Sequence, residues 1–194
     1  MAIVTALRER PRGRVEIELD GVPWRLVPAD AVIRAGLAVG RPLDRETARS
    51  LARELRRAEA LGVAVRALSH RDLSRRRIEE RLVRRGTRAD VRSEAIAALE
   101  RAGVVDDARF AASRAQSLAG RGYGDAAIRF DLEREGMARE LVAEALAGLE
   151  PEPERAKQLV AARGADIRTA RWLSSRGFAA TSVEDAAAGF AEEA

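Results

Sequence analysis

The sequence predicts a mainly α protein: three tandem three-helix repeats in an elongated array, with a small N-terminal β-hairpin. Two observations carry this reading. Apolar residues recur at helical spacing over most of the chain, and one pattern, apolar–apolar–Gly, returns three times. Composition agrees with both. Hydrophobic residues make up 46% but aromatics only 4%, so the core must be built from Leu, Val, Ile and Ala, which suits helix-on-helix packing.

Residues 13–28 are the strand-like stretch. Val15, Ile17 and Leu19 alternate with Arg14, Glu16, Glu18 and Asp20. Asp20-Gly21 is a two-residue turn signal, after which Val22, Trp24 and Leu26 resume the alternation and Pro28 ends it. Pro23 lacks an N–H for the ladder, so the second strand belongs at an edge.

Helix begins in earnest at Asp44, a suitable N-cap, with Ala48, Leu51, Ala52 and Leu55 on one face. The pattern predicts a helix to about Ala60, interrupted by Gly62, with Ala60–Leu68 available as a further helix. The repeat follows. Ile78, Leu82 and Gly86 stand at i, i+4, i+8, as do Ile128, Leu132 and Gly136, and again Thr169, Leu173 and Gly177. The pair shares a helix face, and the Gly suits the left-handed residue that closes a helix. Beyond each Gly comes a second helix, carrying Val91, Ala95 and Leu99, then Leu141, Ala145 and Leu149, then Ser182, Ala186 and Phe190. Asp106-Asp107 opens a helix over about 107–119, and Pro153 starts one to about Ala162. The expected divisions are 1–43 (extension with hairpin), 44–105, 106–150 and 151–194 (one repeat each).

Several function classes drop out. The absence of cysteine removes disulfides, thiolate zinc sites and cysteine nucleophiles, and fits a cytoplasmic protein. No apolar run approaches the ~18 residues of a membrane span, and the N-terminus carries no apolar signal segment. His70, the single histidine, sits in a basic stretch as a surface polar residue. Asp106-Asp107 is read as a cap in preference to a metal or acid–base pair. Gly120, Gly122 and Gly124 form a flexible turn, with stacking of Tyr123 on a base as the alternative. With no catalytic constellation, the chain reads as a non-enzyme with no cofactor and no metal.

Net charge is +4, and 34 of 35 basic residues are arginine, Lys157 being the exception. Residues 66–92 hold ten arginines against Asp72, Glu79, Glu80 and Asp90. Ser74 looks like the N-cap of the helix bearing Ile78, yet Arg75, Arg76 and Arg77 fill its first turn and oppose the helix dipole. Either composition drift or a functional positive surface explains them; such a surface would meet an acidic protein groove or a phosphate backbone. The far end is acidic, with Glu184, Asp185, Glu192 and Glu193.

Three segments resemble the RecX family of RecA regulators. Arg71-Asp-Leu-Ser74 with Ile78 and Leu82 resembles its Arg-x-x-Ser helix start. Gly103-Val-Val-Asp106-Asp107-Ala-Arg-Phe110-Ala111, continuing through Gly122, Gly124, Ile128, Leu132 and Gly136, resembles its Gly-apolar-apolar-Asp-Asp-x-x-Phe-Ala signature. Trp172-Leu173-Ser-Ser-Arg176-Gly177-Phe178 resembles its third-repeat aromatic-Leu-x-x-Arg-Gly-Phe. Together they span about 58–190. The family usually has an acidic residue where Arg77 stands and often Lys where Arg81 stands, and the last helix, with Ser182, fits poorly. The resemblance implies three three-helix repeats, a cytoplasmic location, and binding along the groove of a RecA–DNA filament that damps recombinase, ATPase and co-protease activity; the chain is expected to act as a monomer. The expected contact residues are Arg71, Arg75, Arg76, Arg77, Arg81, Arg84 and Arg85, then Arg114, Arg121 and Arg129. A helical protein acting directly on DNA is the alternative.

Overall fold

A computed structural model describes the backbone of residues 1–192 and the side chains of residues 1–186 and 188. Phe190 and Glu192 as side chains, and Glu193 altogether, lie outside the described residues. The protein is mainly α, with a small antiparallel sheet at its N-terminus. It divides into two compact units: Met1–Arg71 with Ile78–Val104, and Asp72–Arg77 with Val105–Ala194.

The first unit opens with β1 (Val4–Arg10), β2 (Arg14–Leu19) and β3 (Val22–Pro28), in that spatial order. Asp20 and Gly21 both have positive φ, as a two-residue hairpin turn requires. Pro23 lies in the outer strand, as expected. The sheet has one strand more than the hairpin the sequence suggested. β1 escapes a period-two reading because its register shifts between Val4 and Ala6, and its end is Arg8-Glu9-Arg10. Val4, Val15, Ile17 and Val27 pack with Ala31 and Val32 of α1 (Ala29–Arg34) and with Leu51.

Leu51 belongs to α2 (Arg45–Leu68), which packs against α4 (Ala89–Arg101). Asp44 caps α2, its carboxylate accepting from the Thr47 N–H at 2.7 Å. Gly62 does not interrupt this helix. A helical glycine costs about 1 kcal/mol, and burial of Ala60, Ala64 and Ala67 beside it outweighs that. Between α2 and α4 in sequence runs α3 (Arg75–Arg84), with Ile78 and Leu82 buried.

The second unit contains α5 (Asp107–Gly120), α6 (Asp125–Arg134) and α7 (Arg139–Ala147), then α8 (Glu152–Arg163), α9 (Ile167–Ser175) and α10 (Ala180–Glu192). α5 packs on α7 and α8 on α10, repeating the pairing of α2 with α4. In all three repeats the frame closes identically. The Leu82, Leu132 and Leu173 carbonyls accept from Thr87, Met137 and Phe178, one residue past Gly86, Gly136 and Gly177. All three glycines have φ between 70° and 86°, the left-handed closure of a Schellman motif. Among the described residues, the core face drifts in the second helix of repeat two, where Val142 is buried and Leu141 sits at the margin.

Candidate functional site

The first turn of α3 lacks an acid of its own. The fold supplies one. Ser74 Oγ accepts from the Arg77 N–H at 3.3 Å and donates to the Glu135 carbonyl at 3.0 Å. Asp107 Oδ1 accepts from the Arg75 N–H at 2.8 Å, so this carboxylate caps α3 while Asp106 caps α5 through the Arg109 N–H. The Asp-Asp pair thus serves two helix starts.

The Arg77 guanidinium grips Glu135 with two bonds, Nε to Oε2 at 2.7 Å and Nη2 to Oε1 at 2.9 Å. That hydrogen-bonded partner holds the Glu135 carboxyl below its ordinary value, against partial desolvation. The Arg76 stem lies over Gly136, where a Cβ would collide with its Cδ. Arg114 forms the same fork with Asp131, at 2.8 and 3.2 Å, and Arg134 adds a bond at 2.8 Å. Arg114 depresses the Asp131 pKa and has its own raised.

Arg121 lies 5.4 Å from the Tyr123 ring centroid. Arg176 lies 4.6 Å from that ring and 4.9 Å from Trp172, which also carries Arg163 at 4.2 Å. Tyr123 is therefore held in an arginine–aromatic stack built from the turn after α5 and from α8 and α9. Below it, Arg155 is buried and donates to the Tyr123 and Glu150 carbonyls, both at 2.9 Å, and pairs with Asp125. Buried Glu152 accepts from the Asp125 N–H at 2.7 Å, the Ala179 N–H at 3.0 Å and Ser182 Oγ at 2.9 Å. Ser182, a poor fit to an apolar frame, is thus an interior donor.

In the first unit, the ends of α2 and α3 form a basic cleft lined by Arg66, His70, Arg81, Arg84 and Arg85, with Val63 and Ala67. None of its four arginines pairs with a carboxylate among the described residues. The ten arginines expected at the interface therefore part company. Arg77 and Arg114 sit in ion pairs and Arg121 lies over Tyr123. Arg71, Arg75, Arg76 and Arg129 are exposed, and Arg81, Arg84 and Arg85 share the cleft. Sequence reasoning missed Arg66 and His70 as cleft residues, because a helix ended at Ala60 separates them from α3. Among the described residues no group of His, Asp and Glu could hold a metal ion, and no helix is long and apolar enough to cross a membrane.

A family model described as the second three-helix domain of RecX matches residues 106–146. A "Regulatory protein RecX" of Xanthomonas oryzae pv. oryzae is 34% identical over 137 residues, 66% of this chain and 83% of that protein. One of Chromohalobacter salexigens is 38% identical over 124 residues, 59% of this chain and 82% of that protein. A crystal structure of a regulatory protein RecX superimposes with TM-score 0.81 at 23% identity, over 95% of this chain and 98% of that one. RecX from Lactobacillus salivarius matches with TM-score 0.58 at 19% identity, over 68% and 94% of the two chains.

Proposed function

The chain belongs to the RecX family of regulatory proteins, and on that premise we propose that it binds a RecA–DNA filament and restrains the recombinase, its ATPase and its co-protease activity. It does so as a cytoplasmic, monomeric, non-enzymatic binding protein within DNA repair, recombination and the SOS response. Beyond kinship, one observation supports the reading. Arginines free of carboxylate partners gather on a single helix pair, which suits a partner rich in acidic or phosphate groups. Exposed Arg71, Arg75, Arg76 and Arg129 add candidate contacts. Arg77, Arg114 and Arg121 act on this reading by holding the scaffold, since each already serves an internal partner.

Direct action on DNA is the second reading, and the same cationic cleft favours it. Anisotropy of a fluorescent single-stranded oligonucleotide, with and without RecA, separates the two. The filament reading expects tight association that requires RecA. RecA-independent binding of equal strength, with log Kd rising steeply against log salt, would replace it by direct DNA binding.

A further inference from the structure

Arg66, Arg81, Arg84, Arg85 and His70, with Val63 and Ala67, line a cleft of about 510 Å³, and no carboxylate lines it among the described residues. Elsewhere, four partly or fully covered arginines meet carboxylates, Arg77 with Glu135, Arg114 with Asp131, Arg155 with Asp125 and Arg57 with Glu54, while Arg92 and Arg176 donate to backbone carbonyls. Four cations converging on one concavity repel each other, more strongly against a low-dielectric wall than in open water. Their placement shows how the fold tolerates them. Arg66 lies in the last turn of α2, and Arg81 and Arg84 in the last turn of α3, where the negative ends of the helix dipoles offset positive charge. That field keeps the arginines in place without a side-chain counter-ion.

We infer that this cleft binds adjacent phosphate groups, from a phosphodiester strand or a free phosphoanhydride chain. A guanidinium presents a planar fork of N–H donors matched to phosphate oxygens, and four forks can share a ligand of several charges. His70, exposed in the same lining, adds a ring N–H donor. The volume is many times the ~30 Å³ share of one water molecule, so more than a single phosphate fits. The inference deepens the filament reading and rests on it for its biological setting, but not for its test.

Inorganic tripolyphosphate and a single-stranded oligodeoxythymidine are titrated separately into the full chain by calorimetry. Three proteins are compared: wild type, Arg66→Gln/Arg81→Gln/Arg84→Gln/Arg85→Gln, and a control of equal charge loss, Arg12→Gln/Arg25→Gln/Arg139→Gln/Arg168→Gln. The cleft variant is expected to lose about tenfold or more in affinity and about one unit of log–log salt slope per arginine contacting phosphate, with the control close to wild type. Cleft-dependent binding of the oligonucleotide names a strand as the ligand; cleft-dependent binding of tripolyphosphate alone names a free phosphoanhydride. If the cleft variant binds both ligands like the control, the inference is wrong. Should the quadruple variant fail to fold, Arg84→Gln/Arg85→Gln, both exposed, carries the same comparison against Arg12→Gln/Arg25→Gln. RecA inhibition retained alongside lost phosphate binding would leave the cleft standing and move the filament contact elsewhere. Phosphate binding by a wild type that leaves RecA untouched would remove only the filament reading.

Discussion

Arg77 stands in a helix start where a carboxylate would be the ordinary choice, and Glu135 is what makes it acceptable. The two residues are 58 apart in sequence. A local charge count over 66–92 therefore treats as surplus a cation the fold neutralises. Removing it leaves a mostly covered carboxylate without its fork. Arg77→Gln should lower stability by about 1 kcal/mol, read as a melting temperature about 2–4 °C lower, and a double-mutant cycle with Glu135→Gln should show the two losses overlapping. An additive cycle would mean the pair contributes nothing. The pH response follows from the same contacts. Glu135 and Asp131 have pKa values lowered by Arg77 and Arg114, so folding favours their charged forms. Their contribution is complete above the unfolded carboxylate pKa of about 4 and is lost as pH falls through the lower folded values. Thermal melts from about pH 6 down to about pH 2 should show stability falling at the acid end, with a shallower fall in Glu135→Gln. Equal acid slopes in the two proteins would remove Glu135 from the account.

The helix-closing frames were legible because their signal is local: two apolar residues one turn apart, then a glycine that must adopt positive φ. β1 was not, since a register shift defeats period-two counting, and the full length of α2 is hidden by Gly62, whose helical cost is small enough for the helix to run through it. Contacts across the second and third repeats leave no trace in spacing. Gly124, at φ −82°, has no need of glycine for its own conformation, yet a Cβ there would strike the Gly177 carbonyl and the Phe178 N–H. Gly124→Ala should cost about 2–3 kcal/mol by overpacking backbone against backbone, measured by urea unfolding. A loss of a few tenths would show that the two backbone segments part easily. Glu152 tests the same junction from within, since it accepts two backbone N–H groups at helix starts and the Ser182 hydroxyl. Glu152→Ala should cost about 2–4 kcal/mol, because three donors lose a charged acceptor in a covered site. Ser182→Ala, which removes one of the three, should cost about 1 kcal/mol.

For the whole molecule, the sequence exposed the family through motifs that double as structural joints: Asp106-Asp107 caps two helices, and Gly124 and Gly177 meet. The candidate site was only partly legible. Arginine counting found the basic stretch, but it could not separate cations bound by distant acids from those left facing a cleft. That distinction depends on partners such as Glu135, which lies in a later repeat than Arg77, and Asp131, one helix beyond Arg114. The proposed restraint of a RecA filament is tested most directly by titrating the chain into RecA hydrolysing ATP on single-stranded DNA. The account predicts that the ATPase rate falls at ratios well below one chain per RecA monomer. An unchanged rate at equimolar folded protein would contradict it.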